Sequence, residues 1–79
     1  MNWKEYITSD NEILLGKPII KGTRISIEFI IQLFASGWSE AQILENYPRL
    51  NKSHIQAIFA YIYDGIHDNL MINPYQEVC

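Results

Sequence analysis

Three times in this chain a residue suited to begin a helix is preceded by a large apolar residue and followed, four positions on, by an isoleucine. The triplets are Ile25-Ser26 with Ile30, Trp38-Ser39 with Ile43, and Leu50-Asn51 with Ile55. The side-chain oxygen of Ser or Asn satisfies a backbone N–H that the first helical turn leaves unpaired. The apolar residue before the cap packs on the fourth helical residue and fixes the angle at which the chain enters. This repeated signature predicts three helices with defined starts and leaves little room for another fold class.

The stops agree with the starts. Ser26 opens IEFIIQLFAS, in which Ile27, Phe29, Ile30, Ile31, Leu33 and Phe34 give a broad apolar face; Gly37 then supplies a left-handed stop. Ser39 opens EAQILENY, with Gln42 placed to complete a capping box and Pro48 ending the helix. Asn51 opens KSHIQAIFAYIYD, with Ile55, Ile58, Phe59 and Ile62 on the inward side and Gly65 as the expected stop. Tyr61 and Tyr63 fall outside that stripe. The connections, Gly37-Trp38 and Pro48-Arg49-Leu50, are too short for anything but sequential packing. A short helix, a tight turn and a longer helix outline a helix-turn-helix, although a three-helix bundle without a nucleic-acid role has the same outline.

Residues 1–25 have a different pattern. WKEYITSD and PIIKGTRI read as short strands joined by glycine turns, Gly16 and Gly22 bending a hairpin. A two-stranded hairpin is barely stable alone in water. It is expected to pack on the helices or to pair with the same element of a second chain. The fold expected is therefore mainly α, a three-helix core with a short N-terminal hairpin over residues 1–66. A tail, residues 67–79, follows. Seventy-nine residues make a small domain, and with Cys79 as the only cysteine no disulfide can staple it, so a homodimer is the natural supplement. A single thiol also fits a reducing compartment. No apolar run reaches the ~18 residues of a membrane span, and MNWKEY lacks the form of a signal peptide, so a cytoplasmic location is expected.

Several chemistries are poorly served. Gly16-Lys17 is followed by Pro18 and an extended segment, whereas a phosphate loop needs Gly-Lys-Ser/Thr leading into a helix. His54 and His67 are thirteen residues apart, short of the three or four clustered ligands of a zinc site; both are expected to be solvated. Ser26 and Ser39 are used as caps, and Glu28, Glu40 and Glu45 read as helix-surface charges. No catalytic residue, cofactor or small-molecule substrate is expected.

Nucleic acid is better served in spite of a net charge of −3. The first turn of the longer helix carries Asn51, Lys52, Ser53 and His54, with Gln56 next and Arg49 in the preceding turn. In a helix-turn-helix this turn faces base edges: Gln56 suits adenine, and Lys52 or Arg49 suits phosphate or guanine. Lys17, Lys21 and Arg24 form an acid-free stretch within residues 13–27 that can face a phosphate backbone. The tail instead combines Leu70, Met71, Ile72 and Tyr75 with acidic residues, and reads as a partner-binding segment.

With these residues in view, the chain resembles the domain-of-unknown-function 433 family of small bacterial proteins. The likeness is carried by Gly16-Lys17-Pro18-Ile19-Ile20-Lys21-Gly22-Thr23-Arg24-Ile25, then Gly37, Tyr47-Pro48 and Ile55-Gln56-Ala57. It covers about residues 6–64. The family usually has a second glycine where Leu15 stands and often proline where Ser26 stands. The resemblance implies a homeodomain-like helix-turn-helix, dimeric, acting as the antitoxin of a type II toxin–antitoxin pair. It further implies binding to a PIN-like ribonuclease toxin and to the operator DNA of its own operon. The rival expectation is a dimeric protein-interaction module that binds no DNA.

Overall fold

A computed structural model describes residues 1–68. The three helices start where their caps place them: α1 at Ile27–Ala35, α2 at Glu40–Asn46 and α3 at Lys52–His67. The Ser26 hydroxyl accepts from the Phe29 N–H at 3.0 Å. Ser39 and Gln42 form the expected capping box, with Ser39 N donating to Gln42 Oε1 at 2.8 Å and Gln42 N to Ser39 Oγ at 3.1 Å. Gly37, at φ +97°, ends α1 in the left-handed region.

The core joins these helices to the hairpin. Ile7, Ile20, Ile27, Ile30, Ile43, Leu50, Ile55, Ala57 and Ile58 form one buried cluster, and Ile25 and Trp38 pack against it. All three pre-cap residues thus lie at the core, as staples must. No side-chain polar or charged residue is buried among the described residues, so cohesion is almost wholly apolar.

In the N-terminal quarter, β1 (Ile7–Thr8) pairs antiparallel with β2 (Ile19–Ile20), in register Ile7 to Ile20 and Thr8 to Ile19. The stretch after β2 folds back on itself. Thr23 N donates to Ile20 O, Ile20 N to Ile25 O and Ile27 N to Pro18 O, with Gly22 at φ +78° at the bend. This second small turn delivers the chain into the α1 cap.

Four expectations need correction. WKEYITSD is not a strand along its length: Trp3–Glu5 is a 3-10 turn, because the Asn2 side chain caps Lys4 N and Tyr6 N closes onto Trp3 O. Gly65 does not stop α3, which continues to His67; its φ is not positive, and a glycine inside a helix costs only about 1 kcal/mol against alanine. Phe59 faces outward, 51% exposed, with its ring 5.5 Å from that of Phe34. Phe29 and Ile31 also lie at the surface, so the inward face of α1 narrows to Ile27 and Ile30 flanked by Leu33 and Phe34. On both α1 and α3 the apolar arc is wider than the layer of neighbours available to cover it.

The loop between β1 and β2 contains backbone strain. Leu14, Leu15 and Gly16 all have positive φ, at +50°, +58° and +83°. Gly16 suits this doubly, since a Cβ there would also lie 2.9 Å from Asn11 Oδ1. A leucine in this region costs roughly 1–2 kcal/mol, and Leu15, 94% exposed, recovers nothing by packing. The left-handed backbone at Leu15 is the physical reason a glycine suits that position. Leu15→Gly should raise stability by up to about 1 kcal/mol, after the added chain entropy of glycine is subtracted; a urea midpoint that falls would contradict this.

Candidate nucleic-acid interface

The turn after α2 and the start of α3 are built by hydrogen bonds that the sequence only half revealed. Asn51 Oδ1 accepts from His54 N at 3.2 Å, and His54 Nδ1 accepts from Asn51 N at 3.0 Å. This is a capping box in which histidine takes the place usually held by Glu or Gln. The His54 ring also lies edge-on to Tyr6, centroids 5.6 Å apart. His54 is therefore half-buried, not solvated, and it ties the α3 start to the segment before β1. His67, by contrast, is exposed and stacks on Tyr63.

This changes the expected contact set. Asn51 spends its side-chain oxygen, and His54 its Nδ1, on each other; Ser53 is half-buried beside them. Lys52, Gln56 and Arg49 are exposed, and Lys52 and Gln56 make no side-chain hydrogen bond among the described residues. Among the described residues, Lys17 is held by Glu28, Nζ to Oε1 at 3.4 Å, both side chains being well exposed. Lys21 is exposed in the turn before Gly22 and has no ion pair among the described residues.

Arg24 and Arg49 line the same cleft. Arg49 Nη1 donates to Gly22 O at 3.3 Å, which attaches the α2–α3 turn to the turn after β2. Between these two turns lies an open cleft of about 440 Å³, lined by Thr8, Asp10, Ile13, Ile19, Gly22, Thr23, Arg24 and Arg49. The sequence placed both arginines among phosphate-facing residues, but their convergence across 25 positions could be read only from the fold. Leu70, Met71, Ile72 and Tyr75, expected to bind a partner, lie outside the described residues. No group of His, Cys, Asp or Glu among the described residues could hold a metal ion. No helix among them is long and apolar enough to cross a membrane.

The family described as protein of unknown function, DUF433, matches residues 7–62, which span the hairpin, the cleft, α1, α2 and the greater part of α3. The chain belongs to the DUF433 family. This DUF433 domain is 33% identical over 58 residues to the uncharacterized protein y4eO of Sinorhizobium fredii (strain NBRC 101917 / NGR234). The match covers 73% of this chain but 26% of that relative, so the chain spans about a quarter of the length of the curated protein it matches. No solved structure matches it.

Proposed function

We propose that this DUF433 domain is a non-enzymatic antitoxin that, as a homodimer, binds operator DNA and neutralises a PIN-like ribonuclease toxin. The observation that carries the DNA half is the α2–turn–α3 unit, with Arg49, Lys52 and Gln56 exposed on one turn and helix start. In such a unit the start of the second helix enters the major groove. Gln56 then reads a base edge and Lys52 meets phosphate. The toxin half rests on the family resemblance and on the apolar composition of the tail, with Leu70, Met71, Ile72 and Tyr75 as its contacts.

Binding to a duplex of the protein's own promoter, followed by fluorescence anisotropy at several salt concentrations, tests the first half. Arg24, Arg49 and Lys52 acting as three phosphate contacts per protomer predict a slope of log K on log salt near −2.7 per protomer, about −5 for a dimer. Lys52→Ala should reduce that slope by about 1 per protomer, and Gln56→Ala should relax preference at one base pair by about 1–3 kcal/mol. No binding at low salt sinks the DNA half. For the toxin half, deletion of residues 69–79 leaves α3 and its cap at Asp68 whole; an undiminished complex with the neighbouring gene's product then refutes the tail assignment.

A protein-interaction module is the second reading. It is favoured by Phe59, Tyr63 and Ile66, exposed at helical spacing along the outer side of α3, and by a sequence pI near 5.1. Absence of DNA binding together with a stable protein complex would select it.

A further inference from the structure

Arg24 and Arg49 are the most unusual pair on this surface, because an acidic chain lines one cleft with two arginines and a single carboxylate, Asp10, and neither arginine forms a salt bridge among the described residues. The Lys17–Glu28 pair is the salt bridge found among the described residues, and it lies elsewhere. Arg49 uses one N–H on Gly22 O, which fixes the side chain and leaves the rest of its five donors free. Arg24 makes no hydrogen bond among the described residues. Two positive charges set against one carboxylate leave room for an anion, and guanidinium forks match the paired oxygens of phosphate.

We infer that the cleft between the turn after β2 and the α2–α3 turn is a phosphodiester-binding site, with Arg24 and Arg49 as its two arms. The inference rests on the nucleic-acid reading above for the source of the phosphodiester, a backbone phosphate flanking the bases that α3 reads. Asp10 also lines the cleft, so two arginines and one carboxylate leave a net charge of about +1. That balance matches the single negative charge of a phosphodiester better than the near-double charge of a terminal phosphate. The buried Ile19 and the half-buried Ile13 give the cleft an apolar lining, which strengthens a charge-assisted contact relative to open water. Position supports the same assignment, because Arg49 lies in the turn that leads directly into Asn51 and Lys52. In this geometry phosphate contacts set the register while the helix start reads bases.

The test uses the full chain. Dimethyl phosphate is titrated while the Nε–Hε resonances of Arg24 and Arg49 are followed by NMR, with glutarate as a carboxylate control. In parallel, Arg24→Ala and Arg49→Lys are measured against the promoter duplex across salt. Arg24→Ala removes no described hydrogen bond and should fold normally, which a thermal melt checks. The expected result is that dimethyl phosphate moves both resonances and glutarate moves neither. Arg24→Ala should also weaken duplex binding roughly fivefold to tenfold at all sequences, with about 0.9 lost from the salt slope per protomer. Arg49→Lys keeps the charge, so the slope stays while affinity falls. Duplex binding with an unchanged slope in Arg24→Ala overturns the cleft and leaves the DNA reading standing. Resonances that answer glutarate and not dimethyl phosphate overturn it in favour of an acidic peptide. Resonances that answer dimethyl phosphate in a chain that binds no duplex overturn the backbone-phosphate assignment together with the DNA reading.

Discussion

Ile58→Ala should cost about 2–5 kcal/mol. Ile58 is 0% exposed and sits in the one cluster that joins α3 to α1, α2 and β2. A domain of this size has roughly 4–12 kcal/mol of stability in all, so a single cavity consumes a large share. With a urea slope of about 1 kcal/mol per molar, the midpoint should fall by at least ~2 M. Phe59→Ala removes a larger ring from the next position on the same helix. Because Phe59 is half exposed, its cost should stay near or below ~1 kcal/mol. The order of the two variants is the decisive readout: if Phe59→Ala were the more damaging, α3 would be rotated from the position described.

Trp3→Ala is the second large effect, at about 2–4 kcal/mol, somewhat below the usual range for tryptophan because the ring is only half buried. Two interactions are lost together. The indole Nε1–H donates to Asp64 Oδ2 at 2.6 Å, and the ring meets Tyr61 edge-on at a centroid distance of 4.9 Å. Such a pair of rings is worth about 0.5–1.5 kcal/mol beyond the area it covers. Trp3→Phe separates the two parts, since it keeps an aromatic edge and loses the donor. Its cost should lie clearly between wild type and Trp3→Ala in chemical denaturation. Trp3→Phe as damaging as Trp3→Ala would assign nearly all of the effect to the hydrogen bond.

The helical half of this fold was legible because its signals are local. Ser26, Ser39 and Asn51 bond to N–H groups three residues away, and the pre-cap residues Ile25, Trp38 and Leu50 need only the start of their own helix and a core to point at. Gly37 was legible for the same reason. Gly65 misled because its role depends on what surrounds the helix, and nothing there requires a left-handed residue. Phe59 misled because an apolar residue at the margin of a stripe is covered only if a neighbour reaches it, and spacing says nothing of neighbours.

At the candidate interface the polar residue types were visible, and their employment was not. His54 was read as free because histidine is an uncommon partner in a capping box, although its place three residues after Asn51 was a usable signal. Its packing on Tyr6 was not predictable from spacing. Arg24 and Arg49 had been noted singly. Their meeting depends on the bend at Gly22 and on a hydrogen bond between turns 27 residues apart.

The contact between Trp3 and Asp64 also bears on how the protein is made. Sixty-one positions separate the two, and Tyr6 likewise waits for His54. Residues emerge from a ribosome at about 5–20 per second, so roughly 3–12 seconds pass between synthesis of the indole and of its carboxylate partner. During that interval Trp3 and Tyr6 lack the aromatic partners that α3 supplies, Tyr61 and His54. The native packing of Trp3 and Tyr6 is therefore completed only once α3 has been made.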